Sequence, residues 1–392
     1  MSIEAKKKLS KLFTFLVVIF PVLSVYRSPI PSVELGTFLL ILLYGILLMK
    51  TGSKNVALNS GNHFWSIIVY VFFCTLIAFV RGTILYSSSF SIFFRFGRFS
   101  LLMTGLILFG RVYFDIEYGL LLLKKLTLWI SVYVLIQTIV FSITGFKLPN
   151  AIQGLTKLDI TISTSLRQYE VVYRPPGIFL EPSSFCYFVA PYLCYCMFED
   201  SKWDKKRVRD FLTLSAAILC TTSGQGCLML LTLIGAWIFM RTTVSRTVKY
   251  IFVLPAAIAV IFLLSKVSFI QYAVNRVFTS NYNAVEARST GYTFFNSMPL
   301  LTQILGAGYG NYPENLYFSG FADILMTTGY VGLVLVLLYY LRCFLSGGSS
   351  EKMLSLVSLI LMAGGGIYTA TYLCLYMPFL SQKQNSGRLA TI

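Results

Sequence analysis

The densest run of chemically capable residues is Arg174-Pro175-Pro176-Gly177-Ile178-Phe179-Leu180-Glu181-Pro182-Ser183-Ser184-Phe185, which leads from a polar loop into an apolar stretch. Proline favours the first helical position, so a helix is expected from Pro182 with Glu181 at its cap. The free N–H groups of that first turn, which contains Ser183, can receive an anion. Arg174 adds a permanent charge and a fork of donors matched to phosphate oxygens. Gly177 would let the backbone approach a ligand closely. An interfacial cap, with Arg174 paired to Glu181, accounts for the same residues without any ligand.

Other groups widen the choice. Arg95 and Arg98 lie three residues apart inside an apolar run, hence on one helix face. Each such charge costs roughly 2.5–3.5 kcal/mol near a bilayer centre, a cost that a hydrated cavity or snorkelling to the headgroups would relieve. Further along stand Arg276, Glu286 and Arg288, then Leu305-Gly306-Ala307-Gly308-Tyr309-Gly310-Asn311, then Glu314-Asn315-Leu316-Tyr317-Phe318. The lone histidine, His63, begins an apolar run and suits a structural or interfacial role. Asp115-Ile116-Glu117 is the nearest match to a metal-binding pair of acids, and it lies away from the arginines.

The elements that must hold these groups are apolar. Of 392 residues 56% are hydrophobic and 12% charged, too few polar residues to coat a water-exposed globule of this size. Apolar runs near the ~20-residue spanning length occur at residues 12–26, 33–49, 64–80, 90–110, 126–143, 178–198, 250–264, 317–341 and 353–380. An all-α, polytopic integral membrane protein of about ten to twelve helices follows, one membrane domain over 1–392 with large outer loops at 145–177 and 265–315. Lys6 to Lys8 before residues 12–20 imitate a secretory signal, but no small-residue cleavage site precedes Tyr26, so a retained first helix is expected. The eight cysteines form no CxxC pair and read as small buried hydrophobes.

Charge sets the orientation. The net charge of +17 is scattered in small clusters between apolar runs, which suits anionic lipid headgroups rather than nucleic acid. A cytoplasmic N-terminus gathers nineteen basic residues inside against nine outside. Basic clusters then flank residues 211–240 on the same side, so that segment must enter and return, with Thr221-Thr222-Ser223-Gly224-Gln225-Gly226 as a polar break deep in the membrane or near its outer face. Gly364-Gly365-Gly366 would break the last run in the same way.

Taken in order, three features resemble the bacterial O-antigen and capsule repeat-unit polymerases of the Wzy type, within the O-antigen ligase and polymerase superfamily. They are the stretch 174–185, like the superfamily's Arg, Gly, Phe, Glu-Pro-Ser pattern; the polar break 221–226; and the glycine turn, Asn-ending dipeptide and Gly-x-x-Gly helix of 305–332. Two departures stand out. Glu314-Asn315 occupies the place where ligases carry His-Asn, and Ser223-Gly224-Gln225 lacks the arginine that many relatives show there. The resemblance implies a multi-pass enzyme of the bacterial inner membrane that needs no metal and no cofactor. It would join undecaprenyl-diphosphate-linked oligosaccharides at the outer face, with a flippase and a chain-length regulator as partners. Carried onto this chain, Arg174 and Arg288 would hold the diphosphate, aided by Arg276, Arg95, Arg98, Gly177 and Ser183. Glu314, and after it Glu181, would be the base, with Ser223, Gln225, Asn315 and Tyr317 lining the cavity. A ligase, or a transporter or flippase with the broken helices along its path, is the rival expectation.

Overall fold

The structure, a computed structural model, describes residues 3–30, 33–51, 64–80, 89–158, 173–199, 203–240, 284–311, 313, 316, 318–365 and 370–380. Within them the chain is helical and has no strand, only isolated bridges of Tyr26 with Lys157 and Arg27 with Glu34. The expected run at 250–264, His63, Arg276, Glu314, Asn315 and Tyr317 lie outside the described residues.

The first five helices are α1 (Ile3–Leu23), α2 (Leu35–Thr51), α3 (Phe64–Val80), α4 (Ser89–Tyr113) and α5 (Ile116–Thr144). Next come α6 (Pro182–Phe198) and the hairpin of α7 (Lys205–Cys220) with α8 (Gly224–Met240). The described helices finish with α9 (Ala284–Asn296), α10 (Leu300–Leu305), α11 (Gly320–Ser346), α12 (Ser349–Gly364) and α13 (Ala370–Leu380). Three of them, over Ile92–Tyr113, Ile116–Thr144 and Gly320–Ser346, are long and apolar enough to cross a membrane. On α5 the outward side chains are apolar: Trp129 is 74% exposed and Ile143 78%. Such a surface needs a covering of lipid or protein.

At the centre stands α6, apolar on every side and buried from Phe185 to Phe198, as expected of a helix enclosed by others. It packs against α5, α7, α8, α12 and α13. Pro191 has no N–H to give the carbonyl of Tyr187 one turn earlier. The hydroxyl of Tyr376 on α13 donates to that carbonyl instead, at 2.7 Å. All eight cysteines are free thiols, six of them buried, as their scatter predicts.

The bundle has two distinct ends. Ser10 donates to the Tyr113 carbonyl (2.8 Å), the Lys11 ammonium lies 5.7 Å from the Tyr118 ring, and Lys124 pairs with the fully buried Asp210 at 2.8 Å. Arg207 donates to the Glu199 carbonyl (2.8 Å) and to that of Cys196, capping the C-terminus of α6 with a cation. Tyr195 donates to Glu351 at 3.4 Å. These contacts gather the starts of α1, α5, α7 and α12 at one basic end, in line with the charge clusters. Asp115 also belongs there, but as the N-cap of α5 accepting from Tyr118 N at 3.0 Å, which explains that acid without a metal.

Candidate functional site

The opposite end carries the arginine-bearing segments. As expected, α6 begins at Pro182 with Glu181 in the cap position; the Glu181 side chain makes no capping bond and accepts from Ser183 at 3.2 Å. Residues 173–181 reach that start across the face of α5. Gln137 of α5 holds Gly177 from both sides: its amide oxygen accepts from Gly177 N (3.0 Å) and its amide nitrogen donates to Gly177 O (3.1 Å). Gly177 has φ +65°, and a Cβ there would lie 3.1–3.2 Å from methyl groups of Ile130 and Val134. Packing against α5 thus accounts for a glycine at 177 without a ligand. Its missing side chain admits α5, and its amide is already spent on Gln137.

Arg174 turns to the hairpin. Its Nε donates to Thr222 Oγ1 at 3.1 Å, so the first motif and the polar break form one arrangement. Thr222 has φ +48°, the one positive φ outside glycine among the described residues. A β-branched residue held in that region is strained. Thr221, Thr222 and Ser223 are all buried. Their bonds run inward: Thr221 Oγ1 to Ile218 O (2.7 Å), Thr222 Oγ1 to Thr221 O (2.8 Å), and Gly226 N to Ser223 Oγ (3.4 Å).

Beyond the turn, Gln225 accepts the hydroxyl proton of Tyr187 and lies against Gly364 and Gly365. Gly365 O accepts from Gly320 N at 2.8 Å, and next to it Ser319 Oγ donates to Tyr292 Oη at 3.1 Å. Tyr292 sits on α9, one turn after Arg288. Contacts thus lead from Arg174 through the hairpin turn, and from Gln225 past Gly364 and Gly365 to the start of α11 and on to α9, the helix that bears Arg288, whose side chain lies outside the described residues.

A second polar group adjoins it. The α11 helix breaks at Gly329 (φ +64°, ψ −166°), which releases the carbonyls of Met326 and Thr327. Ala307 N takes the first (2.7 Å) and Gly308 N the second (3.1 Å). A Cβ on Gly306 would meet Thr327 O at 2.4 Å, and one on Gly329 would meet Ile304 O at 2.3 Å, so this joint requires glycine in both partners. The turn continues into Tyr309, which stacks on Phe99 of α4 at a centroid distance of 4.8 Å, while its N donates to Thr75 Oγ1 at 3.1 Å. The Arg95 Cδ lies 3.2 Å from where a Gly310 Cβ would stand.

Arg98 is ion-paired with Glu34, whose other oxygen accepts from Thr37 at 2.9 Å. A carboxylate at the start of α2 thus faces the Arg98 charge. Asp323 accepts from Thr327 at 3.4 Å and lies in the field of Tyr309. Loss of water around the Tyr309 hydroxyl, then Asp323, raise its pKa above the usual phenol value against the opposing pull of Arg98 and Arg95, so it remains a neutral donor at physiological pH.

Reading the sequence alone missed Gln137, Glu34, Tyr187 and Tyr292. Gln137 carried a signal, being the one amide inside the apolar run 126–143. No protein-family model matches the chain, and no curated protein matches it.

Proposed function

We propose that the chain is a multi-pass membrane glycosyltransferase that polymerises lipid-diphosphate-linked oligosaccharide repeats without a metal. The observation that carries this reading is the bond from Arg174 to Thr222. It sets a guanidinium against the buried turn of a helical hairpin, at the end of the bundle that also holds the Arg288 helix. Diphosphate is the leaving group such a setting suits, because developing charge is stabilised best by fixed donors with little competing water.

In the proposed reaction a hydroxyl of the incoming unit attacks the anomeric carbon of the growing chain. The new C–O bond forms as the bond to the diphosphate oxygen breaks, and the lipid diphosphate leaves with both bonding electrons. Arg174 and Arg288 bind the departing phosphates, and a carboxylate takes the hydroxyl proton. Glu314 is the first choice of base and Glu181 the second. The basic end faces the cytoplasm and the arginine end the outer leaflet of a bacterial inner membrane.

The test uses purified protein in liposomes with labelled lipid-linked repeat. Lengthening into a ladder without a lipid A core acceptor supports the polymerase. Movement of label across the bilayer at unchanged length would make it a transporter, and transfer only onto an added core acceptor would make it a ligase.

A further inference from the structure

At the basic end, α3 and α11 border a groove of about 600 Å³ lined by Ile67, Leu335, Leu338, Leu341 and Leu345, within the ~300–1,000 Å³ range of ligand pockets. The Phe64 and Tyr339 rings meet edge to face at 5.2 Å beside it. Leu338, Leu341 and Leu345 are 54%, 50% and 68% exposed, so the described helices leave this apolar channel uncovered. Its other lining residues are Ser66, Tyr339, Arg342 and Ser346. Arg342 is exposed, and no carboxylate among the described residues forms an ion pair with it. A hydrocarbon channel with an exposed guanidinium at its rim complements a lipid that has a negative headgroup.

We propose that this groove holds one acyl chain of an anionic phospholipid, with the phosphate on Arg342. The placement agrees with the charge pattern, because the same end carries Lys11, Lys124 and Arg207, and anionic lipids concentrate in the cytoplasmic leaflet. The proposal rests on the membrane setting and not on the reaction at the other end. Arg342 differs from Arg98 in this respect, since Arg98 already has Glu34.

The test is lipid retention by the full chain after detergent exchange, read by native mass spectrometry with phosphatidylglycerol, phosphatidylcholine or inorganic phosphate added. Wild-type protein should keep phosphatidylglycerol about fivefold better than phosphatidylcholine, the factor expected of one basic contact. R342K should preserve that preference, R342Q should abolish it, and L338W, which fills the channel, should lower retention of both lipids. An unchanged preference in R342Q, no preference in wild type, or displacement of phosphatidylglycerol by inorganic phosphate would overturn the proposal. Should R342Q fail to accumulate, undiminished retention by L338W would overturn it alone.

Discussion

At the scale of single residues, the end of the bundle that bears Arg174 depends on side chains whose partners are far away in sequence. Gln137 is the clearest case, fully buried with both ends of its amide used on Gly177. Gln137→Leu leaves a buried N–H and a buried C=O without partners, at about 1–3 kcal/mol each. A lower melting temperature in detergent, together with weaker polymerisation, is the expected outcome; an unchanged melting curve would show that the clamp is dispensable. Thr222 joins position and stability. Thr222→Val can neither accept from Arg174 Nε nor donate to Thr221 O, so product chains should shorten and the melting temperature should fall, whereas Thr222→Ser, which keeps both bonds, should restore chain length. The Arg174 stretch was legible in the sequence as a polar entry to a helix, because Pro182 and Glu181 signal that locally. The packing role of Gly177 was not legible, because its partner Gln137 lies 40 positions earlier.

Whole elements show how broken helices keep their backbone bonded. Pro191 removes one donor from α6 and Tyr376 replaces it. Tyr376→Phe should therefore cost about 1–3 kcal/mol in the native sequence and much less in a Pro191→Ala background, where residue 191 supplies its own N–H. A double-mutant cycle on thermal stability measures the difference, and purely additive costs would refute the replacement. The Gly329 break obeys the same logic, since the carbonyls it releases are taken by Ala307 and Gly308. The hairpin of α7 and α8 was legible from basic residues on both of its flanks, because charge alone requires such a segment to return. The joint between the glycine turn and α11 was not legible. Each glycine fits an ordinary turn or helix, and only their approach in space shows why neither can carry a side chain.

The molecule as a whole has two ends of different character. The basic end is built on Lys124 with Asp210 and on Arg207 at the close of α6; the other presents Arg174, Tyr309 and the start of α11. Single cysteines at Gln153, in the segment pinned to the α1–α2 turn, and at Ser346, beside the groove, should label from opposite sides. An impermeant maleimide should reach Gln153→Cys in intact cells and Ser346→Cys only after permeabilisation. The helical class and the two-sided charge pattern were legible because both follow from composition summed over long runs. The pairing of Arg98 with Glu34 was not, because it joins positions 64 apart that no local rule connects.

Arg174 and Arg288 are proposed to serve one diphosphate. The most direct measurement compares purified wild type with R174A and R288A on labelled lipid-linked repeat, with melting curves run in parallel. A ladder is expected from the wild type and single repeats from both variants, with melting temperatures close to one another. A full ladder from either variant, at normal stability, would contradict that shared role.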